Sequence, residues 1–251
     1  MSPWFWPLLF LVGLLAGFVD AIAGGGGLIT VPVLLGTGMA PAEALATNKL
    51  QATFGSGSAA WHYRRAQLVS LREAWIGILA TAVGALFGVL AVTRLDPTLL
   101  RRAIPILLLV AAWMVWRRPN LGAAECPPRA GREPFLISVG LVLGFYDGFF
   151  GPGTGTFWTL SLIGGLGFEL LKATAWTKIM NFTSNLVSLV AFALATRLDW
   201  VAGLLMGLGQ WCGARLGAKV ALRGGAPLVR PIFLVMVLLA ASKLFYDGWL
   251  K

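Results

Sequence analysis

The sequence predicts an all-α polytopic membrane protein made of two related halves, and three observations support this fold class. Of 251 residues, 58% are hydrophobic and only 12% are charged, whereas a soluble chain of this length needs more charge to cover its surface. Long apolar runs recur, and several approach the roughly 20 residues that cross a bilayer core. Motifs of the first half also return in the second. Helices are expected because lipid offers backbone groups no hydrogen-bonding partner.

Seven apolar runs predict the membrane segments, and their flanks predict the surroundings. The runs are residues 4–19, 74–92, 103–116, 135–146, 186–196, 200–214 and 228–241. The formal charge is +10, but most basic residues stand in short clusters between apolar runs, as the positive-inside rule predicts. We therefore expect a lipid bilayer around the chain and no nucleic-acid partner. We also expect residues 1–17 to be a retained first span and not a cleaved signal peptide, because they lack the basic n-region of a signal peptide.

The two halves are related by repeated motifs. Residues 17–20 (GFVD) return as residues 144–147 (GFYD), and a glycine-rich break follows each, at residues 24–27 and 151–153. After a slip of two residues the register holds to the end of each half. It aligns Ala46 with Ala175, Lys49 with Lys178, Gly84 with Gly213, Gly88 with Gly217, Arg94 with Arg223 and Arg101 with Arg230. The predicted organisation is a first repeat at 1–116, a polar linker loop at 117–133 and a second repeat at 134–251.

Each repeat contains four to five membrane segments, depending on one short apolar piece (28–38 and 155–166). If this piece crosses the membrane, the halves are inverted repeats; if it is re-entrant, they are parallel repeats. We favour inverted repeats with the broken helices at their interface, because many transporters are built this way. One side of the membrane then collects Arg64, Arg65, Arg72, Arg117, Arg118, Arg129, Arg132, Lys219, Arg223 and Arg230. That excess predicts a cytoplasmic side, with both termini outside.

The glycine-rich breaks are the first candidate site. Consecutive glycines and a proline disfavour a helix, and an interrupted helix at membrane depth is tolerated only where it lines a cavity or is buried in protein. Matching breaks in two halves point to a transport site, where free N–H groups at a helix start suit an anion. The predicted binding residues here are Gly24, Gly25, Gly26, Gly27, Gly151, Gly153 and Thr154. The alternative is close helix packing through small residues.

Polar tracks around the two matched lysines are the second candidate site. Side chains three and four residues apart share a helix face, and in such apolar segments a polar face should meet protein or water. The predicted binding residues are Asn48, Lys49 and Gln51 in the first half, and Thr177, Lys178 and Asn181 in the second. Each lysine would add positive charge to an anion site. The alternative is interhelical hydrogen bonding, with each lysine reaching an interface.

Asp20 and Asp147 precede the two breaks at the ends of long apolar runs. Acids within a membrane are costly and usually face a cavity or a partner. They could form a proton-coupling or gating pair, or they could hydrogen-bond to the loosened glycine backbone; the sequence leaves both open. Two cysteines and one histidine predict no disulfide framework, metal site or cofactor, and they leave little for enzymatic acid–base chemistry.

Four segments together resemble the TauE/SafE sulfite-exporter family of membrane transporters, close to its YfcA-like branch. They are residues 17–30 (GFVDAIAGGGGLIT), 44–51 (ALATNKLQ), 144–156 (GFYDGFFGPGTGT) and 172–185 (KATAWTKIMNFTSN). The resemblance extends over nearly the whole chain. It implies a multi-pass permease of the bacterial inner membrane with duplicated halves. It also implies a small sulfur-containing anion as solute, such as sulfite or a sulfonate, without naming one.

The function expected from these observations is that of a secondary transporter. A small anion would bind between the halves, access would alternate between the two sides, and an aspartate could couple proton movement. The alternatives are a passive anion channel and a membrane scaffold that transports nothing. Substrate, direction, coupling ion and assembly into a homo-oligomer are left open.

Overall fold

The computed structural model describes residues 5–96, 98, 99, 106 and 125–224, and within these ranges the long elements are all helices. The first half contains α1 (Phe5–Ala23), α2 (Gly27–Gly36), α3 (Pro41–Arg65) and α4 (Leu71–Val92). The second half contains α5 (Arg132–Phe149), α6 (Thr154–Leu166), α7 (Leu170–Ala195) and α8 (Trp200–Leu222). The described residues contain no strand, so the all-helical prediction is confirmed for them. The predicted segments 103–116 and 228–241 lie outside the described residues, apart from Ile106.

Three of the described helices are long and apolar enough to cross a bilayer: Trp6–Ala23, Leu71–Val92 and Leu170–Ala195. The helix α2 is apolar but has only 10 residues, about half of a bilayer crossing. The helix α3 has 25 residues and a long polar track. Its buried residues include Asn48, Lys49 and Gln51, so this track faces protein rather than lipid.

The outer helices of each half pack against the other half. The most extensive packing joins α1 to α8 and α4 to α5, so the first helix of each half lies against the fourth helix of the other. Glycines make both contacts close: a Cβ on Gly213 would overlap the backbone of α1, and one on Gly148 would overlap the backbone of α4. Small residues spaced along a helix allow such close packing in membranes. Each half therefore depends on the other for one face of its helices.

The centre of the molecule is formed by α3 and α7, which pack against each other and against the fourth helix of the opposite half. The short helices α2 and α6 pack on α3 and α7 respectively. At the start of α3, Pro41 occupies the first turn, where its missing N–H removes no helical hydrogen bond. This arrangement places the two lysine-bearing helices beside both glycine-rich breaks.

Candidate functional site

The two glycine-rich breaks touch each other. Gly24 lies so close to Gly155 that a Cβ on Gly24 would be 2.5 Å from the Gly155 carbonyl carbon, and Gly24 has a φ of +70°. Beside this contact, a Cβ on Gly27 would be 3.2 Å from Cα of Pro152. Only glycine accommodates both the left-handed backbone at position 24 and the absence of space. The breaks thus form one shared structure where the halves meet.

A small cavity of about 30 Å³ lies at this contact, with room for about two water molecules. Its walls come from α1, α3, α5, α7, α8 and both breaks. The lining residues are Asp20, Gly25, Gly27, Asn48, Ala52, Asp147, Gly151, Gly153, Thr154, Gly155, Asn181, Asn185 and Gln210. Nine of these are predicted site residues, and both halves contribute. The other predicted residues, which do not line the cavity, are Gly24, Gly26, Lys49, Gln51, Thr177 and Lys178.

Three backbone N–H groups at the cavity make no hydrogen bond within the described part of the chain. They belong to Gly27, Gly153 and Gly155, at the starts of α2 and α6. The first N–H groups of a helix lack intrahelical partners, and they carry the positive end of the helix dipole. Two helix starts therefore present unused donors to one small space, which is the arrangement that binds anions elsewhere in proteins.

The first break is held by Asp20. Its Oδ1 accepts hydrogen bonds from the backbone N–H of Gly25 at 2.9 Å and of Gly26 at 3.2 Å. Its Oδ2 lies 3.1 Å from Nζ of Lys178, and the same ammonium also donates to the backbone carbonyl of Asp20. The Gly24 N–H donates to the backbone carbonyl of Asp20 at 2.9 Å, so three of the four glycine N–H groups are used internally. In the first half this is the hydrogen-bonding arrangement that the sequence left open for the aspartates.

The second break is organised differently around Asp147. Its Oδ1 lies 2.7 Å from Nζ of Lys49 and accepts from Oγ1 of Thr154 at 3.3 Å. Its Oδ2 accepts a hydrogen bond from Ser184. The carboxylate makes no bond to the backbone of residues 151–153, and all of its donors are side chains. The Lys49 ammonium also donates to Oδ1 of Asn185 at 3.2 Å.

The ion pairs cross between the halves. Lys49 of the first half pairs with Asp147 of the second, and Lys178 of the second half pairs with Asp20 of the first. Both lysine side chains are buried, at 1% and 0% exposure. Two carboxylates and two ammonium groups sum to zero, so the lysines bring no net positive charge to the cavity in this state. Such pairs hold the halves in register, because a buried charge that loses its partner is costly.

Behind the cavity, matching hydroxyl groups join each short helix to its neighbour. Thr30 donates to Oδ1 of Asn48 at 2.5 Å, and Thr159 lies 3.0 Å from the hydroxyl of Thr177. Each threonine also donates to the carbonyl of a glycine four residues earlier, Gly26 or Gly155. Thr30 and Thr159 are 129 residues apart, the offset that also aligns Lys49 with Lys178. The two-residue slip between the repeats therefore lies within the breaks.

Two amide side chains face the cavity with unused hydrogen-bonding capacity. Asn181 is 5% exposed and Gln210 is 1% exposed, and neither side-chain oxygen has a hydrogen-bond partner among the described residues. The Gln210 side chain lies against the backbone at Gly26 and Gly55, where a Cβ on Gly55 would be 2.5 Å from its Cγ. Buried amides normally find partners, so the two oxygens are unsatisfied acceptors beside the cavity.

Four lining residues were absent from the sequence prediction: Ala52, Gly155, Asn185 and Gln210. Asn185 lies within the polar stripe of α7, which continues to Ser188, and Gly155 lies two residues after the second break. Gln210 stands alone in an otherwise apolar run. A lone polar residue in a membrane segment indicates a functional contact, so that signal could have found it.

Comparisons with known proteins agree with this architecture. The sequence profile of the family described as "Sulfite exporter TauE/SafE" matches residues 9–244. The chain is 42% identical over 248 residues to the Escherichia coli (strain K12) "Probable membrane transporter protein YfcA", covering 99% of this chain and 92% of that protein. It is 44% identical over 243 residues to a Haemophilus influenzae "Probable membrane transporter protein", covering 96% and 95%.

A more distant relative is the Bacillus subtilis "Probable membrane transporter protein YunE", 22% identical over 267 residues, with 96% and 97% of the two chains covered. No solved structure matches the chain. The family profile spans nearly the whole sequence and the two bacterial relatives exceed 40% identity, so the chain belongs to the TauE/SafE family of membrane transporters.

Proposed function

We propose that this chain is a secondary carrier of the bacterial inner membrane that moves a small oxyanion through the cavity between its two halves. Sulfite, a sulfonate or another small organosulfur anion is the proposed substrate class. The family supplies the transporter activity, and the description "Sulfite exporter" of its profile motivates the choice of sulfur oxyanions. Access alternates between the two sides of the membrane, and the proton is the proposed coupling ion.

The observation that carries this proposal is the set of unused donors around one cavity. The N–H groups of Gly27, Gly153 and Gly155 come from two helix starts that belong to different halves. Each start adds a partial positive charge. A tetrahedral or pyramidal oxyanion has several acceptor oxygens, so it can bridge donors on both halves. The amides of Asn181 and Gln210 can add further N–H donors, because a half-turn of an amide exchanges its nitrogen and oxygen.

The size of the cavity favours a carrier over an open channel. Its volume of about 30 Å³ holds about two water molecules, which is less than a sulfur oxyanion needs. Solute entry therefore requires the helices around the cavity to move apart. In the proposed inverted-repeat arrangement the breaks act as hinges, with the site fixed where they meet. The packing of α1 on α8 and of α4 on α5 supports such a motion, because α1 and α8 can move together against α4 and α5.

Flux into proteoliposomes tests the proposal. Purified protein is reconstituted, and uptake of radiolabelled sulfite, thiosulfate or sulfoacetate is followed with and without a pH gradient. We expect saturable uptake of at least one of these anions, driven by the gradient. Gln210→Met serves as a site variant, and Gly164→Ala is its control because nothing lies within 4 Å of a Cβ at position 164.

Each alternative function predicts a different result. A passive channel gives flux that follows the anion gradient, is insensitive to pH and does not saturate. A scaffold gives no flux of any anion in the panel. Either result would contradict the carrier, while saturable, gradient-driven flux that falls in Gln210→Met and not in Gly164→Ala would support the site.

A further inference from the structure

We infer that Asp147, and not its repeat equivalent Asp20, takes up a proton when the anion binds, releasing the Lys49 ammonium to the substrate. The inference rests on the proposed function and assigns its coupling step to one residue. It starts from the charge balance: Asp20, Asp147, Lys49 and Lys178 sum to zero. An anion added to this closed set leaves an uncompensated negative charge in a buried space, which is costly. One proton taken up with a monovalent anion restores the balance.

The geometry around Asp147 permits the exchange. Asp147, Gly151 and Asn185 form the cavity wall in front of the Lys49 ammonium. Nζ lies 2.7 Å from Asp147 and 3.2 Å from Asn185, and it is 3.0 Å from where a Cβ on Gly151 would stand. Asn185 therefore keeps the ammonium in position when Asp147 releases it. The missing Cβ at position 151 leaves an approach from the cavity.

The geometry around Asp20 opposes the same exchange. The carboxylate of Asp20 accepts two backbone N–H groups, from Gly25 and Gly26, and these bonds order the first break. Protonation would weaken both. Moreover, Lys178 also donates to the backbone carbonyl of Asp20, which keeps the ammonium on α1. The donors to Asp147 are all side chains, which can turn toward a substrate without disturbing the backbone.

The groups that face Asp147 come from every helix packed around it. Its hydrogen-bond donors are Lys49 from α3, Thr154 from α6 and Ser184 from α7, and Tyr146 is a titratable neighbour on α5 itself. Asn185 of α7 contacts Lys49 instead. Where α4 packs against α5 its contact residues are small and uncharged, such as Thr81, Ala85 and Gly88. Across the cavity stands the Asp20–Lys178 pair. Within the described residues, Lys49 is therefore the cation that contacts Asp147 and Asp20 is the other acid of the cavity.

A proton from the medium adds to the Asp147 carboxylate and gives a neutral carboxylic acid, while Lys49 remains protonated. The bond between Lys49 and Oδ1 is replaced by one between Lys49 and an oxygen of the anion. The site gains one proton and one negative charge. By linkage, proton binding and anion binding then strengthen each other equally.

Proton uptake on anion binding tests the inference. Detergent-purified protein in weak buffer with a pH indicator is mixed with methanesulfonate, a monovalent sulfonate that does not itself titrate near neutral pH, and anion binding is followed separately by thermal shift. For the wild type we expect stabilisation together with one proton taken up per anion, and an affinity that falls about tenfold per pH unit in the alkaline range. Asp147→Asn mimics the protonated acid, so it should bind methanesulfonate with no proton uptake and little pH dependence. Asp20→Asn should still take up a proton for each anion that it binds, as should the matched control Glu73→Gln, which removes a surface carboxylate paired with Arg132.

The possible outcomes separate the inference from the function. Binding without proton uptake in the wild type, or proton uptake that persists in Asp147→Asn, overturns the inference and leaves the proposed site intact. No stabilisation of the wild type by methanesulfonate, thiosulfate, sulfite or sulfoacetate overturns both. If Asp147→Asn does not fold, Asp147→Glu replaces it: proton uptake with a displaced pH dependence supports the inference, and loss of uptake with binding intact overturns it.

Discussion

The two glycine-rich breaks occupy matching places in the two halves, yet they are stabilised in different ways. Counted from the aspartate, the fifth residue is Gly25 in the first half and Pro152 in the second. The Gly25 N–H bonds to Asp20, whereas proline has no N–H to offer. Asp147 turns instead to Ser184, whose repeat equivalent in the first half is Gly55. The first break is therefore fixed by its own aspartate, and the second is tied through side chains of α3, α6 and α7.

The two breaks therefore differ in whether their glycine N–H groups are bonded within the protein or left unbonded at the cavity. Where the carboxylate satisfies the glycine N–H groups, those groups are closed to a solute. Where proline removes that bond, the next N–H, on Gly153, stays free at the cavity. The first break therefore has the N–H groups of Gly25 and Gly26 bonded to its own aspartate, whereas the second keeps a free N–H at Gly153.

The two lysines should differ in what their loss costs. Lys49→Met strands Asp147 at 5% side-chain exposure, and we expect it to lower the free energy of unfolding by about 3–5 kcal/mol. Lys178→Met strands Asp20, which is 14% exposed and keeps two backbone donors, so a loss of about 2–3 kcal/mol is expected. Chemical denaturation in detergent measures both values. Equal losses would show that the breaks are energetically alike.

The contact between the breaks should tolerate no side chain. Gly24→Ala places a Cβ 2.5 Å from a Gly155 backbone atom at a positive φ, and we expect a loss of about 3 kcal/mol from overlap and backbone strain together. Gly164→Ala, in open space on α6, is the matched control and should leave the melting temperature unchanged or slightly raised. A wild-type melting temperature in Gly24→Ala would mean that the breaks do not meet.

Much of the fold was predictable because membrane segments follow simple composition rules. The apolar runs predicted most of the helices, and the glycines predicted the break between the end of α1 at Ala23 and the start of α2 at Gly27. The repeated motifs identified both lysines and both aspartates. The packing of each half's first helix on the other half's fourth helix was not predictable, because hydropathy shows which residues avoid water and not which helices are neighbours.

The site was predictable as a residue set but not as a network. Lys49 and Asp147 are 98 residues apart, and nothing in either local pattern indicates that they pair. Consequently the lysines were expected to add net positive charge, whereas the structure shows them paired with carboxylates. The hydrogen bonds from the N–H groups of Gly25 and Gly26 to Asp20 depend on backbone geometry, which residue identity alone does not determine.

Loss of the Asp20 charge should loosen the first break. In Asp20→Asn the charged acceptor for Gly25 and Gly26 becomes a neutral amide, and Lys178 loses its counter-ion. We expect a loss of about 3 kcal/mol, together with faster hydrogen exchange at residues 24–27. Mass-spectrometric hydrogen exchange measures this, with residues 151–155 of the same variant as the internal reference. Equal protection at both breaks in this variant would contradict a support specific to the first.

The matching threonines should differ by the number of bonds that they make. Thr30 joins Gly26, Asn48 and Gln51, whereas Thr159 joins Gly155 and Thr177. Replacement by valine keeps the shape and removes the hydroxyl, so we expect losses of about 2 kcal/mol at position 30 and about 1 kcal/mol at position 159. Thr53→Val, whose hydroxyl bonds only to the carbonyl of Lys49, is the control. The reverse order of the two losses would contradict this network.

Gln210 should matter for the solute and not for stability. Its side-chain oxygen is buried without a partner, so Gln210→Met removes an unsatisfied polar group and should leave the melting temperature unchanged or raise it. If the amide binds the anion, affinity should fall about tenfold, the equivalent of one hydrogen bond of about 1.4 kcal/mol. Its repeat equivalent Thr81 is buried against Met180 and away from the cavity, so Thr81→Val should leave affinity unchanged. Thermal-shift titration with thiosulfate measures both variants, and equal affinities in the two would remove Gln210 from the binding site.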